Sequence, residues 1–214
     1  MSRLPHGLSA DAKGVIRCAW PGSHMDYQNY HDHEWGRPQQ STERLFEKIC
    51  LEGFQSGLSW LTILRKREAF RRAFRGFDIE KVSRFNSRSV ERLLSDAGIV
   101  RHRGKIEAAI ENARAAFRLI EEFGSLSSFV WQFEPCPKRR PKRFTYSDLK
   151  ALTETEESRA MSRALRDRGW RFVGPTTLYA FMQSVGVVND HIEGCSFRGS
   201  VEQERQGFHR PTYR

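Results

Sequence analysis

Apolar residues recur at helical spacing along most of this chain. In the segment 41–50, for example, Leu45, Phe46 and Ile49 fall on one face. No segment alternates strictly between apolar and polar residues over the length of a strand. The expected fold class is therefore all-α, with short loops. The pattern predicts helices over residues 41–50, 59–75, 87–97, 104–123, 125–131, 153–169 and 175–186.

Residues suited to helix ends flank several of these segments. Thr153 and Glu156 have the spacing of a capping box. Pro175 suits the first turn of the last predicted helix, and Gly98 suits a helix C-cap. Segment 134–148 holds three prolines and a basic run, so it is predicted to be a loop.

The charge balance is strongly basic. The chain of 214 residues carries 36 Lys and Arg against 26 Asp and Glu, for a net charge of +10. This excess is typical of proteins that bind a phosphate backbone, although a basic protein without a nucleic-acid role remains the alternative. No apolar run approaches the ~20 residues that a membrane span needs, and no secretory signal is visible. Four cysteines without close spacing favour a reducing compartment, and we expect a cytoplasmic protein with no membrane association.

Two pairs of potential metal ligands lie at opposite ends of the chain. Cys18 and His31 are separated by 12 residues, and His191 and Cys195 by three. Two thiols and two imidazoles suit tetrahedral zinc with no open position, which is a structural rather than a catalytic arrangement. The i, i+4 spacing of the second pair would place both side chains on one face of a helix. The alternative is two buried thiols and two ordinary histidines.

Aromatic and acidic residues cluster in two segments of the first third of the chain. Tyr30 and Trp60 could stack on a flat heterocycle, and Glu52 lies between them in sequence. A carboxylate beside aromatic faces suits a cationic base that also donates hydrogen bonds. The alternative is that the aromatics belong to the core and that Glu52 is a capping or ion-paired residue.

A glycine turn precedes the last predicted helix. Gly174 is followed by Pro175, Thr176 and Thr177. A helix N-terminus exposes backbone N–H groups that can bind phosphate, and the two hydroxyls add further donors. A simple corner between two helices is the competing interpretation.

Taken as a set, six ordered blocks of this sequence closely resemble the DNA-3-methyladenine glycosylase I family, within the helix-hairpin-helix superfamily. The resemblance covers about residues 17–198, and six blocks in one order are far more specific than any single motif. The blocks are RCAW (17–20), YHDHEWG (30–36), LEGFQSGLSW (51–60), DAGIVRHRGKI (96–106), FVGPTTLYAFMQ (172–183) and VNDHIEGC (188–195).

The resemblance implies a helix-hairpin-helix glycosylase fold with two helical subdomains flanking a base pocket. It implies one glycosylase domain over 15–200, with 1–14 and 201–214 as flexible tails. It also implies one structural Zn²⁺ per chain that joins the N- and C-terminal segments. The ligands carried over are Cys18, His31, His191 and Cys195.

The resemblance further implies which side chains meet the substrate. Glu52 is expected to be catalytic and to contact the extruded base. Tyr30, Trp60 and Trp20 are expected to bind the base as well. The DNA backbone is expected at the turn that contains Gly174, Thr176 and Thr177.

The implied activity is hydrolytic excision of 3-methyladenine from alkylated double-stranded DNA by a monomer. Asn189 falls where many relatives in the superfamily place an Asp, and the neighbouring Asp190 is the competing carboxylate. Thr176 falls where bifunctional relatives carry a Lys, so no strand cleavage is expected. The alternative function is a zinc-containing module that binds DNA damage without chemistry. A zinc hydrolase is disfavoured because four protein ligands leave no open position.

Overall fold

The structure is a computed structural model that describes residues 4–141 and 143–212. Most of the described chain is helical. Its α-helices, α1 to α11 in order, are Met25–His33, Thr42–Gln55, Trp60–Ala73, Ile79–Ser83, Ser87–Ser95, Arg103–Phe123, Leu126–Trp131, Tyr146–Ala151, Glu156–Arg166, Pro175–Ser184 and Arg198–Gly207.

The expectation of an all-α fold needs one correction, because the N-terminal segment forms a small β-hairpin. Strand β1 (Leu8–Ala10) pairs antiparallel with β2 (Ile16–Cys18). In the turn, the Asp11 carboxylate accepts hydrogen bonds from the backbone N–H groups of Lys13 (2.8 Å) and Val15 (3.0 Å). Strands of three residues are too short to show an alternating pattern. Part of the predicted 1–14 tail is thus paired structure.

Helix α2 is the centre of the molecule. It packs against α3, α6, α7 and α10, and all ten residues from Leu45 to Phe54 are buried. Because it is buried on every side, its polar residues Glu47, Lys48 and Glu52 are buried too. The helix is longer than the predicted 41–50 segment and ends at Gln55. Glu52 therefore lies inside a helix in the core.

Several predicted boundaries are confirmed. Helices α3 and α6 match their predicted segments closely, the Ser125 side chain caps α7, and Pro175 occupies the first turn of α10. The capping box predicted at Thr153 is wrong. The box joins Thr155 and Ser158 instead, since those two side chains exchange hydrogen bonds with each other's backbone N–H groups.

Helices α9 and α10 pack against each other and are joined by a short turn. The backbone of Gly169 is left-handed (φ 83°), as is that of Phe172 (φ 56°). The Ser162 hydroxyl donates a 2.7 Å hydrogen bond to the carbonyl oxygen of Val173, which fixes the turn against α9. The turn thereby directs the start of α10 toward solvent and its side toward α2.

Helix α11 covers the first part of the 201–214 segment that was expected to be a flexible tail. Helix α11 extends to Gly207 and buries Val201 completely. Arg205 on this helix and Arg210 beyond it both form ion pairs with Glu134. These pairs fasten the end of the described chain to the segment after α7. The described residues include no helix long and apolar enough to span a membrane.

Candidate active site

A pocket of ≈ 330 Å³ opens between two groups of helices. Helices α1, α2 and the start of α3 form one wall, and α10 with the segment after α8 forms the other. Its volume falls at the lower end of the range for small-molecule sites. The lining residues are Trp20, Tyr27, Tyr30, Trp35, Glu52, Gln55, Trp60, Leu149, Leu152, Thr153, Thr176, Tyr179, Ala180 and Gln183.

Glu52 is the carboxylate that lines this pocket. It is 5% exposed, and within the described chain it accepts no hydrogen bond and forms no ion pair. Burial raises its pKa to about 8, and the nearby ammonium of Lys48 opposes that rise. An unpaired buried carboxylate is costly for a fold, which indicates that its partner is a ligand.

The predicted base-binding aromatics are brought together around Glu52. The ring centroids of Tyr30 and Trp60 lie 5.4 Å apart, and both side chains line the pocket. Trp20 reaches the same pocket from the end of the hairpin, with its ring 4.8 Å from that of Tyr27. The interpretation of these rings as purely structural core is therefore incomplete, since each has a face on the cavity.

Tyr27 was missed at the sequence level. It lies three residues before Tyr30 on α1, a spacing that places both rings on one helix face. Burial and the nearby Glu52 carboxylate raise its pKa to about 12, so it stays a neutral hydroxyl donor. A helix prediction over 25–33 would have found it.

The side of α10 forms the opposite wall, and this too was missed. Thr176, Tyr179, Ala180 and Gln183 line the pocket at the i, i+3, i+4, i+7 spacing of one helix face. From the sequence alone we expect only phosphate binding at the N-terminus of this segment. The helical spacing of these four positions is the sequence signal that indicates a shared face.

The structure places neither Asn189 nor Asp190 on the pocket. The Asn189 amide donates to the Arg198 carbonyl oxygen and the Glu202 carboxylate, both at 3.1 Å. Asp190 is fully buried behind α10. Glu52 is therefore the carboxylate with access to a bound base.

Asp190 holds the α10 wall in place. It accepts hydrogen bonds from Tyr179 (2.6 Å) and Gln183 (2.9 Å), both of which line the pocket. Arg140 completes the network with an ion pair to Asp190 and a 3.1 Å hydrogen bond to the Tyr179 hydroxyl. The 134–148 segment thus contributes a half-buried cation that stabilises the wall.

The turn at the start of α10 is arranged differently from the sequence-level expectation. Gly174 is the N-cap, but its backbone is extended (φ −65°, ψ 160°), so glycine is not required there by conformation. Thr176 is exposed and lines the pocket, whereas Thr177 is half-buried one position further on. The N-terminus of α10 therefore opens beside the pocket mouth.

The four predicted metal ligands converge next to the pocket. Cys18, His31 and Cys195 are buried, and their ligand atoms all lie within 4.8 Å of one another. The ring of His191 is also buried, with its centroid 4.7 Å from that of His31, but its Nε2 faces the His31 carbonyl oxygen at 3.4 Å. The structure thus brings all four residues together and places three of them in ligand geometry.

The chemistry of this cluster suits a soft divalent metal. Asp32 holds His31 Nδ1 at 2.7 Å, which leaves Nε2 directed to the Cys195 sulfur at 3.6 Å. Hydrogen bonds from the Cys18 thiol and from His31 lower the pKa of Cys195 to about 4. Burial lowers the pKa of His191 to about 4, so its imidazole is neutral.

One detail of the metal prediction is wrong. His191 and Cys195 were expected one turn apart on a helix, but the segment is a tight turn in which the Cys195 N–H donates to the Ile192 carbonyl oxygen at 3.0 Å. Gly194, with φ 93°, permits that turn. The i, i+4 spacing here reflects a loop that returns the chain to the hairpin.

Two basic residues at the start of α6, His102 and Lys105, have structural roles. The His102 ring caps α6, and the Lys105 ammonium donates to the carbonyl oxygens of Phe54 (3.0 Å) and Ser56 (2.5 Å). Lys105 therefore caps the C-terminus of α2. It is not free to contact a phosphate.

A mostly helical fold with an aromatic pocket and a buried carboxylate agrees with the class that the sequence resemblance implies. That class is the DNA glycosylases, which hydrolyse the bond between a base and its deoxyribose. The family model described as methyladenine glycosylase matches residues 20–199. The chain therefore belongs to the methyladenine glycosylase family.

Curated relatives and solved structures agree with this assignment. The chain is 48% identical to DNA-3-methyladenine glycosylase 1 of Escherichia coli, over 84% of this chain and 95% of the relative. It is 43% identical to DNA-3-methyladenine glycosylase of Haemophilus influenzae, over 87% of this chain and all of the relative. A solved structure that describes 3-methyladenine recognition by the Staphylococcus aureus 3-methyladenine DNA glycosylase I superposes with a TM-score of 0.77 at 34% identity. It covers 85% of this chain and 96% of that one. The protein is an N-glycosylase that excises 3-methyladenine in DNA repair.

Proposed function

We propose that the chain works as a monofunctional glycosylase in which Glu52 is the catalytic and base-selecting residue. The single observation that carries this proposal is the unpaired Glu52 carboxylate in an aromatic pocket. Its substrate is a 3-methyladenine nucleotide extruded from double-stranded DNA. The product is DNA with an abasic site.

The pocket suits the charge of this substrate. A 3-methyladenine nucleotide is cationic, whereas adenine is neutral. The Tyr30 and Trp60 rings offer cation–π and stacking contacts, and Glu52 offers an acceptor for the exocyclic amine. The weak pairing of the damaged base also lowers the cost of extrusion.

The chemical step follows from the same charge. As the glycosidic bond breaks, its electron pair returns to the base, which leaves as neutral 3-methyladenine, and positive charge develops on the sugar. Water then adds to the sugar carbon and releases a proton. A carboxylate beside the reacting bond stabilises the cationic sugar, and Glu52 is the pocket-lining residue able to supply it.

We also propose that no strand cleavage accompanies excision. Among the residues that line the pocket in the described chain there is no lysine, and Thr176 holds the position at the start of α10. A Schiff base needs an amine at the sugar. Borohydride should therefore trap no covalent complex with abasic DNA.

The Cys18, His31, His191 and Cys195 cluster is proposed to hold one structural Zn²⁺. Two thiols, one aligned imidazole and a neighbouring neutral imidazole match the ligands that structural zinc prefers. A bound metal would supply no chemistry here but would tie the hairpin to the loop after α10. Trp20 packs against both the cluster and the pocket aromatics, so the tie would support the pocket.

The α9–turn–α10 pair is proposed to be the helix-hairpin-helix element that binds the DNA backbone. Its helix N-terminus at Gly174 opens beside the pocket mouth, with Thr176 and Thr177 in the first turn. The net charge of +10 supports attraction to duplex DNA.

A monomeric state and a cytoplasmic location remain predictions. Light scattering tests the first, and cell fractionation tests the second.

The proposal is tested by base release from methylated duplex DNA, with chromatography of the freed base. Glu52→Gln should lose activity by roughly 100-fold or more, because the acceptor remains but the charge does not. Glu121→Gln is the matched control, since Glu121 is exposed on α6 and is not among the residues that line the pocket. Full excision by Glu52→Gln would contradict the assignment. Binding of methylated DNA without base release by the wild type would favour the damage-binding alternative.

A further inference from the structure

A buried lysine lies directly behind the base pocket. Lys48 is 6% exposed on α2, one helical turn before Glu52 on the same face. Its ammonium forms a 2.6 Å ion pair with Glu34 and donates a 3.4 Å hydrogen bond to the Tyr30 hydroxyl. A lysine is rarely buried without a reason of structure or function.

The aromatic wall of the pocket separates this ammonium from the base. Its Nζ lies 4.4 Å from the Tyr30 ring centroid and 5.1 Å from the Trp60 ring centroid. Tyr30 and Trp60 line the base pocket, whereas Lys48 lines a second cavity of ≈ 310 Å³ on the other side. The two rings therefore have a cation on one side and the base site on the other.

The cluster around Lys48 carries a net positive charge. Glu34 is shared between Lys48 and Arg67, whose guanidinium lies 2.6 Å from the same carboxylate. The two cations lower the pKa of Glu34 to about 2, so that carboxylate stays ionised. Two cations and one anion leave one positive charge uncompensated. Among the described residues, Glu52 is the neighbouring carboxylate that forms no hydrogen bond and no ion pair.

We propose that Lys48 is a positioning residue whose charge favours the carboxylate form of Glu52 from behind the aromatic wall. The inference rests on the role proposed above for Glu52. Lys48 itself touches neither the base nor the sugar. Its effect is to make ionisation of Glu52 easier than burial in the pocket alone would allow.

The other groups that face Glu52 do not perform this task. From α1, Tyr27 and Tyr30 present neutral phenols, and burial holds the pKa of both above its ordinary value. From α10, the phenol of Tyr179 is likewise held neutral by burial and by Asp190. Burial of Glu52 raises its pKa, and Lys48 is the charged group that acts against burial. Removal of that charge would leave desolvation unopposed.

The test measures the titration of Glu52 directly. An infrared difference spectrum between the wild type and Glu52→Gln isolates the Glu52 carboxylate band as a function of pH. The same difference is then recorded with Lys48→Met in both proteins. We expect the Glu52 midpoint to rise by about one pH unit or more, as loss of a nearby opposite charge requires. The acid limb of the pH–rate profile for excision should shift to higher pH together with the Glu52 midpoint.

Control variants keep the result interpretable. Lys13→Met removes the same charge from an exposed site in the hairpin turn and should leave the midpoint unchanged. Lys48→Arg keeps the charge and should return the midpoint toward the wild-type value. Arg67→Met removes a cation of the same cluster from a partly exposed position, so it tests the proposal even where Lys48→Met does not fold.

The outcomes separate the two proposals. The role of Lys48 is overturned if the titration midpoint of Glu52 stays unchanged in Lys48→Met. Where Lys48→Met does not fold, an unchanged midpoint in Arg67→Met overturns it. Both outcomes hold whatever the activity of these variants. Full excision by Glu52→Gln overturns the role of Glu52 instead. A uniform loss of activity with an unmoved acid limb would mean that Lys48 only packs.

Discussion

Burial of Glu52 makes a prediction about stability that is independent of catalysis. Its pKa rises from 4.5 to about 8 in the folded protein. Between those two values the native state holds a proton that the unfolded chain has released. The free energy of unfolding must therefore fall as pH rises through this window, and the contribution is fully present only below pH 4.5. The neutral isostere Glu52→Gln lacks this dependence.

The size of the effect follows from the shift. Each pKa unit corresponds to about 1.4 kcal/mol, so at pH 7.5 the raised pKa of Glu52 lowers the free energy of unfolding by at most roughly 4 kcal/mol relative to its value below pH 4.5. Water in the open pocket solvates the carboxylate and reduces that limit. We expect Glu52→Gln to gain roughly 2 kcal/mol over the wild type between pH 5 and pH 7.5.

The assay is urea denaturation of both proteins at several pH values. Subtracting the wild type from the variant cancels every other titrating group, and Glu121→Gln reports any general effect of a lost charge. A difference that stays constant from pH 5 to pH 7.5 would refute the reasoning, since it would mean that Glu52 titrates as an exposed carboxyl does. A gain would show that the site is maintained at the expense of stability.

Other perturbations have equally definite outcomes. Trp60→Ala should abolish most base release while circular dichroism shows a folded protein, because the ring forms a pocket wall; normal release would remove Trp60 from the site. Asp190→Ala should lower the free energy of unfolding by up to about 3–5 kcal/mol in urea titrations, because it leaves the half-buried Arg140 cation unpaired. A strong chelator should unfold the protein and abolish activity together, as followed by circular dichroism and base release; loss of activity alone would instead indicate a catalytic metal. Affinity for undamaged duplex DNA should fall steeply with added salt in fluorescence anisotropy, and a flat response would mean that the +10 charge does not face DNA.

Helix positions were largely predictable because the information is local. Segments 59–75 and 104–123 carry their apolar periodicity within a few turns, and Gly124 ends the second of them in a left-handed conformation. The capping box was misplaced by two residues because Thr153 and Thr155 offer the same hydroxyl. Only the hydrogen bond between Thr155 and Ser158 distinguishes them.

Long-range effects account for what the sequence left open. The 1–14 and 201–214 segments have weak local signals, yet pairing of β1 with β2 and burial of Val201 order part of each. Tyr27 and Gln183 line the pocket because α1 and α10 face each other across it. Such contacts depend on the relative placement of helices, which periodicity does not encode.

The sequence by itself determined the helical class, the family resemblance, and the identities of Glu52, Trp60 and the four potential metal ligands. These follow from residue type and order. Only the tertiary structure decided that Glu52 has no partner within the described part of the chain and that Asp190 is hydrogen-bonded to Tyr179 behind α10. It also placed Lys48 behind the aromatic wall. The physical reason is that charge and desolvation act through space, so the state of a carboxylate is set by neighbours that the chain order does not reveal.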